Sequence, residues 1–312
     1  MKTVFLLNPK AGKGKGFDKI KNVVLEASKE TGLDAGVYIT KSIGDAEVFS
    51  RLAAAEAQRA GEKVRLIACG GDGTLNEVLN GIMGFESASV GVIPMGTGND
   101  FVRNFPDKDR FKDVKGQILG ETVKCDVIKY SGVIEGEEKS GYCVNMFNIG
   151  FDCNVVDLTA RLKTYPALKG SLAYVAAVAG TLIKKKGADL KIDVDGKTVH
   201  EGPLLLTAIA NGSFCGGGFK GVPKASVDDG FMDINVIYDI TRREFIKKLP
   251  YYAKGTHMEL SNVGDFLCYK KCRQVVITPL DGSMKLCIDG EIRNAGKVCM
   301  EIIPEAVNFI VP

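Results

Sequence analysis

The sequence predicts an α/β chain in two parts, a doubly wound N-terminal domain of parallel strands and helices followed by a mostly antiparallel β domain. Three observations carry this. The first 120 or so residues alternate apolar runs with helical periodicity, strand then helix, which implies a parallel sheet covered on both faces. From Val123 onward the texture changes to short β-rich runs separated by Gly and Asp turns. At 312 residues the chain exceeds what one hydrophobic core usually supports, so two domains are expected, residues 1–122 and 123–304.

The elements follow in order. Lys2 to Leu7 reads as a buried strand running into Asn8-Pro9-Lys10-Ala11-Gly12-Lys13-Gly14-Lys15-Gly16. This loop is not a P-loop, because no Gly-Lys-Ser/Thr closes it; its lysines suit either phosphates or plain solvent. A helix from about Phe17 to Lys29, a short strand Val37 to Ile39 and a loop Thr40 to Gly44 come next. Ser42 and Asp45 have capping spacing ahead of an alanine-rich helix ending at Gly61.

Val64 to Cys69 is the next strand, and it leads into Gly70-Gly71-Asp72-Gly73-Thr74-Leu75-Asn76-Glu77. Three glycines in four residues let backbone amides approach a phosphate as no Cβ-bearing residue could. Asp72 would repel a bare phosphate but suits Mg²⁺ or its waters beside one. The bland alternative is a turn in which Thr74 and Glu77 form a T-x-x-E capping box, and both readings can hold at once. Val90 to Ile93 repeats the pattern, followed by Pro94-Met95-Gly96-Thr97-Gly98-Asn99-Asp100-Phe101, where Asn99 or Asp100 could simply cap a helix. Three glycine loops at successive strand ends are harder to dismiss, because ligands of parallel sheets bind there.

After a charged helical segment, Asp107 to Leu119, the β runs are Cys125–Tyr130, Tyr142–Asn148, Leu190–Val194, Leu204–Ala210, Phe231–Tyr238, Phe266–Tyr269, Val275–Thr278 and Lys285–Ile288. Helices are expected from about Leu168 to Lys186 and Thr241 to Ala253, and Asp195-Gly196 signals a hairpin. Two features here could carry chemistry. In Ser226-Val227-Asp228-Asp229-Gly230-Phe231, Asp229 with nearby carbonyls suits a hard cation, although an acidic β-turn is the commoner cause of such a run. In Asp289-Gly290-Glu291, Glu291 could be a general base, although Asp289-Gly290 is also an ordinary hairpin turn.

Composition narrows the class. Hydrophobic residues are 45% and charged residues 25%, and 41 basic against 38 acidic residues leave a net charge of +3, so nothing demands nucleic acid. Nine scattered cysteines without C-x-x-C spacing, with only two histidines, argue against zinc or a disulfide framework and for a reducing cytosol. The first residues are too short an apolar run for a signal peptide, and Leu172 to Ile183 is too short to span a bilayer. An integral membrane protein is not expected.

The motifs together resemble a known family. N-P-x-A-G-x-G, G-G-D-G-T-x-N-E, P-x-G-T-G-N-D-F, a late D-D-G and an I-D-G-E occur in the order seen in the diacylglycerol kinase catalytic-domain family, and the whole chain resembles its soluble bacterial lipid kinases. G-G-D-G-T alone is shared with NAD kinases and phosphofructokinases. The N-E continuation, the G-T-G-N-D-F loop and the D-G-E end favour the lipid kinase branch.

The resemblance implies a nucleotide-binding domain of the NAD kinase/diacylglycerol kinase type, a C-terminal β-sandwich-like domain, a cleft active site between them, and a last strand, Ala306 to Val311, by which residues 305–312 return to the first domain. It implies ATP binding at Asn8, Thr40, Gly70, Gly71, Asp72, Gly73, Thr74, Leu75, Asn76 and Thr97, with Glu291 as proton acceptor. Asp72, Asp100 and Asp126 match acidic residues around a catalytic Mg²⁺, while Ser226 and Phe231 through carbonyls and Asp229 through its carboxylate match a separate structural Mg²⁺ site.

The expected activity is Mg²⁺-dependent transfer of the ATP γ-phosphate to a lipid hydroxyl, with diacylglycerol foremost. The alternatives are phosphatidylglycerol, a sphingoid base or NAD as acceptor, or a nucleotide-binding regulator without catalysis. The partner is then a lipid at a membrane surface, met by a cytoplasmic protein that associates transiently, and a homodimer is among the expected states. Lys163 to Lys186, an apolar helix ending in Lys184-Lys185-Lys186, could lie on an anionic surface; a core helix whose cationic end complements the helix dipole is the preferred reading.

Overall fold

The computed structural model describes residues 1–11, 17–151, 153 and 187–312. The loop residues 12–16 and the expected helix Leu168 to Lys186, with the basic segment that contains it, lie outside the described residues. The chain divides into two compact units, Met1–Val127 with Pro304–Pro312, and Ile128–Ile303. The division falls inside a strand, a few residues beyond the change of texture near residue 123.

In the first unit, β1 (Lys2–Leu7) pairs in parallel with β2 (Ala35–Ile39) on one side and β3 (Val64–Gly70) on the other. β3 pairs in parallel with β4 (Ala88–Pro94), whose other neighbour is the end of the last strand, through Asn308 and Phe309. Strand residues are apolar almost throughout, as a sheet covered on both faces requires. One face is closed by α1 (Phe17–Thr31) and α4 (Val114–Leu119), whose Val24, Ala27, Val114 and Ile118 pack on Phe5, Leu7, Ile67, Ile93 and Ile310. α2 (Asp45–Ala60) and α3 (Asp72–Ile82) complete the unit.

Two expected caps are placed differently. α2 is preceded by Gly44 with no side-chain cap, and its Ala46 N–H donates instead to Glu77 Oε2 of α3 at 3.2 Å. The Thr74/Glu77 box is therefore absent: α3 has Gly71 as its N-cap and starts at Asp72, three residues earlier than the box requires, and Glu77 caps the neighbouring helix. The charged segment Asp107 to Leu119 is helical only in short pieces, the last of which, α4, is capped by Asp113.

The second unit is antiparallel. β5 (Glu121–Ile134), which begins in the first unit, pairs with β6 (Glu137–Cys143) across a Glu135-Gly136 turn. β7 (Met146–Gly150) pairs with β9 (Lys197–Ala210), and β9 pairs with β8 (Ala188–Val194) and β10 (Met232–Tyr238). β11 (Leu267–Cys272) flanks β10, while β12 (Gln274–Pro279) pairs with β8 and with β14 (Glu291–Val311). β13 (Met284–Ile288) joins β7 to β14, and the one described helix of this unit longer than a single turn, α5 (Arg242–Lys254), carries a Thr241/Glu244 capping box.

Three hairpins share one chemistry. Glu135-Gly136, Asp195-Gly196 and Asp289-Gly290 each have positive φ at both turn residues, the two-residue turn that matches strand twist. The run Tyr142–Asn148 is not one strand but the end of β6 and the start of β7, interrupted at Val144-Asn145. β14, expected only over its last six residues, is continuous for 21, through Gly296 and Pro304.

Candidate active site

The first unit gathers its glycine loops at the carboxyl ends of its parallel strands. Asn8, just past β1, donates its side-chain N–H to Thr74 Oγ1 at 3.2 Å, and its Oδ1 accepts from Lys10 N–H. Thr40, just past β2, is buried and donates to the Leu7 carbonyl. Gly70, at the end of β3, accepts from the N–H groups of Met95 and Gly96 at 2.8 and 3.2 Å, tying the loop after β4 to the loop after β3.

These two loops touch backbone to backbone. A Cβ on Gly96 would lie 2.6 Å from the Cα of Gly71, and one on Gly70 would lie 2.3 Å from Thr74 Oγ1. The glycines are required by close approach, which also leaves the start of α3 uncrowded for an anion.

Asp72 stitches the loops together. Its Oδ2 accepts from Asn99 N–H at 2.8 Å and its Oδ1 from Asp100 N–H at 2.9 Å. Asn99, at φ 50°, closes its own turn by accepting from Gly96 N–H and donating to Gly96 O. Asp100 stands at the N-cap position of the short helical turn that follows, without a side-chain cap hydrogen bond. That turn is anchored by Phe101, buried edge-on against Phe309 at 4.9 Å between centroids. Asp100 is buried beside Arg103 Nε at 3.4 Å. Asp126, also buried, accepts from Glu305 N–H at 2.8 Å and so holds the returning chain to the first unit.

The structure thus joins Asn8, Gly70, Gly71, Thr74, Asp72 and Asp100 in one hydrogen-bonded and packed group. Asp72 and Asp100 are hard oxygen donors on linked loops, which fits a Mg²⁺ that keeps waters and takes one or two carboxylates plus phosphate oxygens. Among the described residues no three His, Cys, Asp or Glu side chains converge to hold a metal by themselves.

In the second unit Glu291 is the first residue of β14, set by the Asp289-Gly290 hairpin with Ile288 opposite it. Its carboxylate is about half exposed and pairs with Arg293 at 2.6 Å, an exposed pair that costs little to separate. Asp289 beside it is the residue that sequence reasoning left as a turn. Its carboxylate is buried and accepts from the N–H groups of Val144 at 2.8 Å and of Asn145 and Met146 at 3.0 Å, and from Cys143 Sγ at 3.1 Å. This is the interruption between β6 and β7, a bend wrapped around a charge. Burial, with Asp289 next to it, pushes the Cys143 thiol well up, and burial alone does the same to Cys69 at the end of β3, so neither is a nucleophile.

The Ser226 to Phe231 turn shows a different pairing from the expected metal set. Asp229 Oδ1 accepts from Phe231 N–H at 3.1 Å, and Oδ2 pairs with the Lys271 ammonium. Ser226 Oγ donates to Asp228 at 2.6 Å. A resident Mg²⁺ fits poorly here, because the ammonium in close contact with Asp229 Oδ2 also stands 3.7 Å from the buried Asp233 carboxylate.

"Diacylglycerol kinase catalytic domain" matches residues 2–130, and "YegS C-terminal NAD kinase beta sandwich-like domain" matches residues 145–311. The chain is 32% identical over 290 residues to a diacylglycerol kinase of Staphylococcus carnosus, covering 92% of this chain and 87% of that one. The chain belongs to the diacylglycerol kinase-like family. A diacylglycerol kinase of Bacillus subtilis is 29% identical over 290 residues, covering 92% of this chain and 88% of the relative. The crystal structure of a diacylglycerol kinase from Bacillus anthracis shares the fold, with a TM-score of 0.71 and 21% identity, covering 100% of this chain and 97% of that one. The family places the chain among lipid kinases and its C-terminal unit among β-sandwich-like domains, as the motifs led us to expect.

Proposed function

We propose that this chain is an ATP- and Mg²⁺-dependent lipid kinase that phosphorylates the free hydroxyl of diacylglycerol to give phosphatidic acid. The observation that supports the nucleotide half is the joining of three strand-end loops, those after β3 and β4 through Asp72 and the one after β1 through Asn8 and Thr74, which holds the glycine amides in one place. The acceptor half rests on the family and on the names of its members.

In this reading the amides at the start of α3 and along the glycine loops bind and orient the phosphates. Asn8 and Thr74, hydrogen-bonded to each other, tie the end of β1 to the first turn of α3. Asp72 and Asp100 would hold Mg²⁺, which, when bound, neutralises charge on the phosphates. Glu291 accepts the proton of the lipid hydroxyl as its oxygen bonds to the γ-phosphorus and the bond to the ADP oxygen breaks. The Asp289 clamp fixes the hairpin from which Glu291 projects. Among the described residues no helix is long and apolar enough to cross a membrane; in this reading the lipid is met at a membrane surface.

The test is transfer of labelled γ-phosphate from ATP with Mg²⁺ to mixed micelles of diacylglycerol, phosphatidylglycerol or sphingosine, and to NAD. Label in diacylglycerol is the expected result. Label in another lipid alone moves the acceptor, label in NAD alone overturns the lipid reading, and no label in any acceptor points to a regulator.

A further inference from the structure

The Asp229 region carries an inference that goes beyond the kinase reading and does not depend on it. Lys271 reaches Asp229 because the sheet puts it there. β10 and β11 pair antiparallel with Asp233 directly opposite Lys271, so the register delivers the ammonium to the foot of the 226–231 turn.

Three observations then describe a site already supplied with positive charge. Both oxygens of Asp229 are engaged, one by the N–H of Phe231 and one by Lys271. Asp233 is completely buried and neither of its oxygens has a hydrogen-bond partner within normal geometry; the Lys271 ammonium stands 3.7 Å away as its countercharge. The Phe231 ring lies 5.9 Å from the Lys271 ammonium and 5.0 Å from the Arg273 guanidinium, so the cationic character extends across the turn. A divalent ion on Asp229 would have to sit beside Lys271 and near Arg273, and displacing Lys271 would strip Asp233 of its countercharge in a buried place.

We propose that Lys271 is a built-in counter-ion that takes the place of a resident divalent cation at Asp229, bridging Asp229 and Asp233 and holding the 226–231 turn to β11 without metal. The register of β10 on β11 makes the arrangement part of the fold.

Hydrogen exchange over residues 226–236 of the full chain, in EDTA and in millimolar Mg²⁺ without nucleotide or lipid, reads this locally and apart from any catalytic ion. In the unaltered protein, protection is the same in both conditions. Lys271→Met exchanges at least tenfold faster there in EDTA, and Mg²⁺ restores much of the protection; Lys271→Met with Asp229→Asn regains none. Higher protection of the unaltered protein in Mg²⁺, lost in Asp229→Asn, overturns the proposal. So does a Lys271→Met protein that exchanges like the parent, or one that Mg²⁺ fails to restore. Should Lys271→Met fail to fold, the comparison on the unaltered protein still decides between a resident ion and none.

Discussion

Asp72 in the first unit and Asp289 in the second do the same physical work in different surroundings. Each carboxylate gathers successive backbone amides of a segment far away in sequence: Asp72 holds Asn99 and Asp100, and Asp289 holds Val144, Asn145 and Met146. Asp72 begins a helix among glycines at the ends of parallel strands, where a ligand can approach. Asp289 sits inside a hairpin turn of antiparallel strands, next to the exposed Glu291. A carboxylate, partly buried at Asp72 and buried at Asp289, can thus organise a site through backbone amides. In both places a charge fixes backbone, and in the second the residue two positions on is the exposed Glu291.

Breaking the larger network has the larger effect. In Asp289→Asn an N–H₂ group faces donors that need acceptors, and hydrogen bonds to a charge are worth about 1.5–3 kcal/mol each, so an overall loss of about 3 kcal/mol is expected. Denaturant unfolding of the variant checks it, and an unchanged midpoint removes the clamp from the account. Asp72→Asn has two such bonds to lose and is expected to cost about 2 kcal/mol. It also differs in kind: phosphoryl transfer falls to background, because the loops and the ion lose their shared anchor. An Asp72→Asn enzyme that transfers phosphate normally would leave Asp72 a purely structural stitch.

A third variant sharpens the contrast between buried charge and buried neutral groups. His257, buried beside Tyr252, has its pKa lowered by burial from 6.5 to about 4. The folded value lies below the unfolded one, so the unfolded chain takes up the proton first. Stability is full above the unfolded value and falls as pH drops through this window. His257→Gln removes that dependence, and between pH 7 and 4 the parent loses about 2 kcal/mol more than the variant. Parallel pH profiles of unfolding free energy would place the charged imidazole in a site that accommodates it.

Legibility followed sequence distance. The parallel strands of the first unit, their strand-end loops and the Asp195-Gly196 hairpin were readable because their signals lie within a few neighbouring residues. Asp289 was not, since Asp-Gly is sufficient reason for a hairpin and its amide partners lie more than 140 residues earlier. Separations of 31 and 42 residues likewise hid the Ala46 N–H that donates to Glu77 and the pairing of Lys271 with Asp229. The length of β14 was masked by its own composition. Arg293, Asn294, Gly296 and Pro304 argue against a strand locally, and pairing with β13, β12 and β4 in turn overrides them.

The proposed role of Glu291, fixed by the Asp289 hairpin, is to take the proton in phosphoryl transfer to diacylglycerol. The direct measurement is the rate of labelled phosphate transfer to diacylglycerol micelles by the parent and by Glu291→Gln, with nucleotide affinity and unfolding midpoint measured on the same preparations. A fall of about a thousandfold in turnover with nucleotide affinity and stability unchanged is the predicted result. Turnover within a few-fold of the parent would contradict it and assign the proton to another group.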